Sequence, residues 1–200
     1  MFTSLASFGR TASSVLLLAG AACVLTNSGA TAGGGSSRAF VVVDVDGDGL
    51  KTCPPASESR LARGEVVVHV VRWTCPGDDD AVVLVQNPGR PISTADLLGL
   101  KVGPQDGLEF LARFGASSDQ ISSRVLVSSD PLFQTIVLWR DANADVTIAA
   151  AEVFGFAFAG FDELALNREL EVGGTDIKWT AHATRNGMRH LMASVPFEGQ

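Results

Sequence analysis

Residues 138–152 read Leu-Trp-Arg-Asp-Ala-Asn-Ala-Asp-Val-Thr-Ile-Ala-Ala-Ala-Glu. With Asp141 as position 1 of a twelve-residue loop, Asn143 falls at position 3, Asp145 at 5, Thr147 at 7, Ile148 at 8 and Glu152 at 12. An EF-hand supplies calcium with oxygens from positions 1, 3, 5, 7 and 12, and position 8 anchors the loop to a core. Alternate acidic residues on a tight turn point inward together, which suits a hard cation. The expected ligands are the side chains of Asp141, Asn143, Asp145 and Glu152 and the backbone carbonyl of Thr147. Position 6 is Val146, where glycine is the rule. A left-handed conformation costs an ordinary residue about 1–2 kcal/mol, roughly a tenfold loss of affinity. Extracellular calcium modules work with dissociation constants of about 10⁻⁴–10⁻³ M, so a loop weakened this far still fills at millimolar calcium. The competing reading is an acidic turn that holds no metal.

A second acidic turn lies upstream. Asp44, Asp46 and Asp48 occupy positions 1, 3 and 5 and Gly49 occupies position 6, but position 12 is Pro55. A closing ligand must then come from elsewhere, with Asp78, Asp79 and Asp80 as candidates. The alternative is a solvated acidic turn. In a third stretch, 85–96, Asn87, Ile92 and Asp96 sit at positions 3, 8 and 12, while Val85 and Gly89 stand at 1 and 5. No metal is expected there.

The order of these pieces resembles an aspartate-rich, EF-hand-like calcium-binding domain of secreted bacterial proteins, often attached to RTX-type adhesins and toxins. The matching series is Asp44–Gly49, Trp73, Asp79–Val85, Asp96-Leu97-Leu98-Gly99, Asp106-Gly107, Asp130-Pro131-Leu132-Phe133 and Leu138–Asp145, over roughly residues 39–170. The resemblance implies calcium as the ligand and a structural role for it. Three departures remove metal affinity: the acidic turn expected before the tryptophan is Val66–Val71, Gly is lost at 146, and the middle loop has lost most of its ligands.

The elements that must position these residues are mostly strands. Val-rich runs predict strands at Ala39–Val45, Glu65–Trp73, Ala81–Gln86 and Thr135–Trp139. Alternating patterns predict strands at Glu163–Glu171, Asp176–Thr184 and Met188–Phe197, with a hairpin turn at Asn186-Gly187 and a second turn at Gly173-Gly174. Lys51–Gly64 reads as a polar loop. Short helices are expected from Ser93 to Gly99, over Asp106–Phe114, at Asp130-Pro131, and over Ala149–Phe158 directly after the calcium loop. The expected fold is α+β: one strand-rich domain of antiparallel strands, short helices and EF-hand-like acidic loops.

Residues 1–32 read as a secretory signal peptide, with Arg10 as the one charge, an apolar run at Val15–Leu25 and a small-x-small site at Ala30-Thr31-Ala32. That run is shorter than the about 20 residues a membrane span takes. Cleavage before Cys23, as in a lipoprotein, is the less favoured alternative. Residues 33–38 form a Gly/Ser linker and 39–200 the domain. The exported part retains Cys53 and Cys75. In an oxidising compartment they are either a disulfide, worth about 3 kcal/mol for this loop length, or two buried thiols.

The exported part carries 14 Lys and Arg against 22 Asp and Glu, a formal charge of −8. That balance disfavours nucleic acid and anionic membranes and suits cations. No further segment reads as a membrane span. No HExxH, Gly-x-Ser-x-Gly or phosphate-binding glycine loop occurs, and His69, His182 and His190 form no recognisable site. No catalytic residue is expected. The function anticipated is calcium-dependent stabilisation of a secreted or periplasmic domain. The alternatives are a metal-free descendant acting as a surface or interaction protein and, less favoured, a hydrolase using paired carboxylates.

Overall fold

The computed structural model describes residues 38–63, 66–100, 106–113, 125–169 and 179–199. The expected signal peptide, residues 33–37 of the linker and the Gly173-Gly174 turn lie outside the described residues. In chain order the elements are β1 (Ala39–Val43), β2 (Thr52–Cys53), β3 (Ser59–Arg63), β4 (Val66–Val70), β5 (Trp73–Thr74) and β6 (Ala81–Val85), then α1 (Gly107–Arg113). There follow β7 (Val125–Val127), β8 (Ile136–Trp139), β9 (Val153–Gly155), β10 (Phe161–Glu169), β11 (Thr180–Arg185), β12 (Met188–Pro196) and β13 (Glu198–Gly199).

The α+β expectation is overturned. Among the described residues, thirteen strands stand against one α-helix of seven residues, so the domain is mostly β. Eight strands form one sheet in the order β7-β10-β11-β12-β1-β6-β8-β9, and every pairing in it is antiparallel. A three-stranded sheet, β13-β4-β3, and a two-stranded ribbon, β2-β5, complete the strands. The acidic loops are not EF-hands, because no helix flanks either of them. The loop after Trp139 is instead the connection of a hairpin, in which β8 pairs with β9 through Trp139↔Val153. The expected helix over Ala149–Phe158 is a single 3₁₀ turn, Ala150–Glu152, followed by β9. Three alanines favour helix locally, but Val153, Phe154 and Gly155 gain a strand partner, and tertiary pairing prevails.

The central strands read as unbroken apolar runs because both of their faces are covered. From β1, β6 and β8, residues Val41, Val43, Ala81, Val83, Ile136 and Leu138 enter one core with Leu108 and Leu111 of α1 and with Phe133, Phe156 and Phe161. The alternate residues Phe40, Val42, Val82, Leu84, Val137 and Trp139 enter a second core with Leu61 and Val68 of the small sheet, Trp73 of the ribbon, and Leu97 and Phe197. Burying such side chains is worth about 1.5–3 kcal/mol each. The Lys51–Gly64 stretch, expected as a loop, contains β2 and β3. Leu61 is the inward residue of β3 and Arg60 and Ala62 are exposed, so its pattern is too short to read. The Asn186-Gly187 hairpin forms as expected, with both residues at positive φ.

Candidate metal centre

The strand register determines which acids meet. Val43 of β1 pairs with Ala81 of β6, and Val82 of β6 pairs with Trp139 of β8. Continuing this register, one residue past Val43 and Ala81 and two past Trp139, Asp44, Asp80 and Asp141 stand at the same end of three adjacent strands. The alternation that sends Val42, Val82 and Trp139 into the second core places all three aspartates on that same face. All three are buried, at 4%, 1% and 2% exposure.

Asp44 and Asp141 each open an aspartate turn, and the two turns share one backbone design. Positions 4 and 6 have positive φ in both: Gly47 (87°) and Gly49 (102°) in the first, Ala144 (53°) and Val146 (60°) in the second. Position 6 donates its N–H to the position 1 carboxylate in both, Gly49 to Asp44 Oδ2 at 3.1 Å and Val146 to Asp141 Oδ2 at 2.7 Å. Position 5 donates to the position 3 side chain in both, Asp48 to Asp46 Oδ1 at 3.2 Å and Asp145 to Asn143 Oδ1 at 3.1 Å. Val146 therefore keeps the left-handed conformation that glycine would adopt there, at about 1–2 kcal/mol of strain. Its side chain is buried in the second core, and that burial offsets the strain.

The acid side chains diverge. Oxygens of Asp44, Asp46 and Asp48 all lie within 4.8 Å of one another, the one such acidic group among the described residues. Asp141, Asp145 and Glu152 do not converge in this way. Asp141 Oδ2 also accepts from the indole N–H of Trp73 at 2.7 Å, and Asn143 Nδ2 donates to Asp145 Oδ2 at 2.9 Å. Thr147 donates its N–H to Asp145 Oδ1 at 2.8 Å. Glu152, the expected closing ligand, accepts through Oε2 from Trp139 Nε1 at 3.3 Å and from the N–H of Ala149 at 3.2 Å. Nitrogen donors thus occupy oxygens that a cation would use. In the third stretch Arg90 does the same: its Nη2 lies 2.5 Å from Asp96 Oδ1, and with the amide oxygen of Asn87 turned toward it, its Nε and Nη2 are 3.1 and 2.7 Å from that oxygen. The guanidinium touches positions 3 and 12 of that degenerate loop.

The ribbon brings the remaining polar groups to the first turn. Cys53 and Cys75 form a disulfide with Cα atoms 4.9 Å apart, tying β2 to β5. Just before β2, the N–H of Lys51 donates to Asp80 Oδ2 at 2.7 Å, and its ammonium reaches Asp48 Oδ2 at 2.5 Å and Asp78 Oδ2 at 3.0 Å. On its other side the ribbon contacts the second turn: Trp73 reaches Asp141, Ala56 N–H donates to Ala144 O at 2.9 Å, and Arg140 pairs with Asp79. Asp80 Oδ1 is buried and makes no hydrogen bond. Burial pushes the Asp80 carboxyl up to about 7, helped by the negative charges of Asp78, Asp44 and Asp46 and opposed by the Lys51 N–H. Burial also raises Asp141, against the N–H donors of Val146 and Trp73. Asp78 is lowered, because Lys51 and the N–H of Asp79 outweigh its burial.

Of the three acids considered as a closing ligand for the first turn, Asp80 has the buried, unpartnered oxygen. Trp73 stood out in the sequence only as a motif residue, and nothing in the sequence marks Lys51 or Arg90 as internal cations.

These features define a class: a β-sheet domain, braced by a disulfide ribbon, with aspartate turns at the ends of adjacent central strands. The chain belongs to the SPM domain family, whose family model matches residues 41–198. No curated protein matches it.

Proposed function

We propose that this is a non-catalytic, extracytoplasmic domain that binds calcium weakly at the Asp44 turn and is stabilised by it. The observation that carries the reading is the convergence of Asp44, Asp46 and Asp48 beside Asp80, whose Oδ1 is buried without a partner. Clustered carboxylates repel unless a proton or a cation neutralises them. Calcium fits an all-oxygen group of this kind and takes about 6–8 oxygens, so water or carbonyls complete the sphere. The resemblance to calcium-binding domains of secreted bacterial proteins supports the same ion. The disulfide supports an oxidising compartment, and the signal-like residues 1–32 support export, with release after Ala32 preferred to lipid anchoring at Cys23. Among the described residues no helix is long and apolar enough to cross a membrane.

The metal-free alternative, a surface or interaction domain, has its own support in Arg90, which already fills the position of a cation in the degenerate loop. The hydrolase reading draws less support. An apolar hollow of about 400 Å³ is lined by Gln86, Pro91, Ile92, Ile148, Ala150 and Val153, and none of these is an acid.

Calorimetric calcium titration and thermal unfolding, with calcium and with chelator, test the proposal. The expected dissociation constant is about 10⁻⁴–10⁻³ M. At ten times that concentration the folded state gains about 1.4 kcal/mol. Asp46→Asn abolishes the gain and Asp145→Asn preserves it. An unfolding midpoint indifferent to 10 mM calcium sinks the calcium reading and leaves the metal-free one.

A further inference from the structure

We infer that Lys51 is a tethered competitor for the Asp44 turn, a built-in cation that calcium must displace before it binds. The inference rests on the calcium reading above and adds the regulation of that site. Three contacts place the residue. Its N–H is held by Asp80 Oδ2 at 2.7 Å, and its ammonium bridges Asp48 Oδ2 at 2.5 Å and Asp78 Oδ2 at 3.0 Å. Asp48 is a member of the converging group, so one of its oxygens is already spent on the ammonium. Asp80, which holds the Lys51 N–H through Oδ2, keeps a buried Oδ1 with no hydrogen-bond partner.

The backbone of Lys51 cannot leave easily. Cys53, two residues on, is bonded to Cys75, and Thr52 pairs with Thr74. The side chain can. It is 48% exposed, and exposed ion pairs hold weakly. The ammonium can swing into water while its N–H remains on Asp80. In the empty turn it cancels part of the repulsion among the acids. With calcium present it is a like charge at the rim and raises the dissociation constant. A unit charge about 6 Å from a divalent ion in a water-like dielectric changes affinity by about tenfold.

The experiment is calcium titration by calorimetry of the wild type, Lys51→Gln, Lys51→Met and Lys51→Arg. The two neutral variants are expected to bind about tenfold more tightly, and Lys51→Arg to stay within about twofold of the wild type, because charge and not size is what competes. Added salt screens the competitor, so the gap between Lys51→Gln and wild type narrows from 20 mM to 500 mM sodium chloride. Lys51→Met gives the same comparison should the glutamine perturb folding. If the wild type binds and the neutral variants bind no more tightly, the inference fails and the calcium reading stands. If none of the four binds, the calcium reading itself fails, and the inference with it. If only the neutral variants bind measurably, Lys51 suppresses the site more strongly than estimated and the inference holds.

Discussion

The Asp44 and Asp141 turns have nearly the same backbone and different side-chain partners. Both carry positive φ at positions 4 and 6 and both tie position 6 to the first carboxylate. In the first turn three acid oxygens converge while Asp44 and Asp46 also accept from the N–H groups of Gly47, Gly49 and Asp48; in the second, donors from Trp73, Asn143 and Thr147 add to the N–H groups of Val146 and Asp145. The shape of such a turn is therefore set by the first aspartate and local backbone bonds, and metal affinity is a separate property, set by what else approaches the oxygens. A nearly complete ligand series marks turn geometry. The loop at 85–96 takes the difference further, since a guanidinium pairs with its position 12 carboxylate.

The comparison breaks most sharply at Arg90. Asp96 is fully buried, and Arg90→Met strips its charge partner. Breaking a buried pair costs about 3–5 kcal/mol; Arg90 is 39% exposed and Asp96 keeps the Ser93 N–H, so denaturant unfolding should show a loss of about 3 kcal/mol, the low end of that range, whether calcium or chelator is present. Millimolar calcium restoring the lost stability would mean the loop accepts an ion once the guanidinium is gone.

Next in size is Asp141→Ala against Asp46→Ala, both in chelator. The first leaves the indole N–H of Trp73 and the amide of Val146 without their acceptor, at about 3 kcal/mol. The second removes an exposed carboxylate and should change stability by less than about 0.5 kcal/mol. Equal losses would erase the distinction between a structural turn and a ligand turn.

Much of this was legible in the sequence, and the boundary has a physical cause. β1, β6, β8 and the β11–β12 hairpin announce themselves through apolar runs and Asn186-Gly187, because strand signals are local. Cys53 and Cys75 were readable as a candidate disulfide, against two buried thiols, from their count in an exported chain, and the disulfide forms. The register was not readable: nothing in residues 44, 80 and 141 says that they end three neighbouring strands. Nor were the hydrogen bonds of Glu152, since its partner Trp139 is thirteen residues away and reaches it across the β8–β9 pair. Helix after the loop was the wrong expectation because the alanines at 149–151 report propensity and β9 reports pairing.

The smallest effect separates Asp80 from its neighbours through pH. Its carboxyl titrates near 7 in the folded protein against an ordinary value of 3.8. Between about pH 4 and 7 the folded state holds a proton that the unfolded chain has released. Unfolding then liberates a proton, so stability falls as pH rises through this window and levels off above 7. Asp78 acts in the other direction: its depressed value contributes stability above the ordinary carboxylate range that is lost as pH falls. In Asp80→Asn the descent between pH 4 and 7 should flatten, and calcium-free stability at pH 8 should rise by about 2 kcal/mol as one charge leaves the acidic end of the sheet. Asparagine keeps an acceptor for the Lys51 N–H, so this gain measures charge and not the loss of a bond. Urea unfolding at four pH values in chelator reads both. A descent unchanged by the substitution would mean that Asp80 is ionised at neutral pH without help, and the unpartnered oxygen would then mark no demand for a cation.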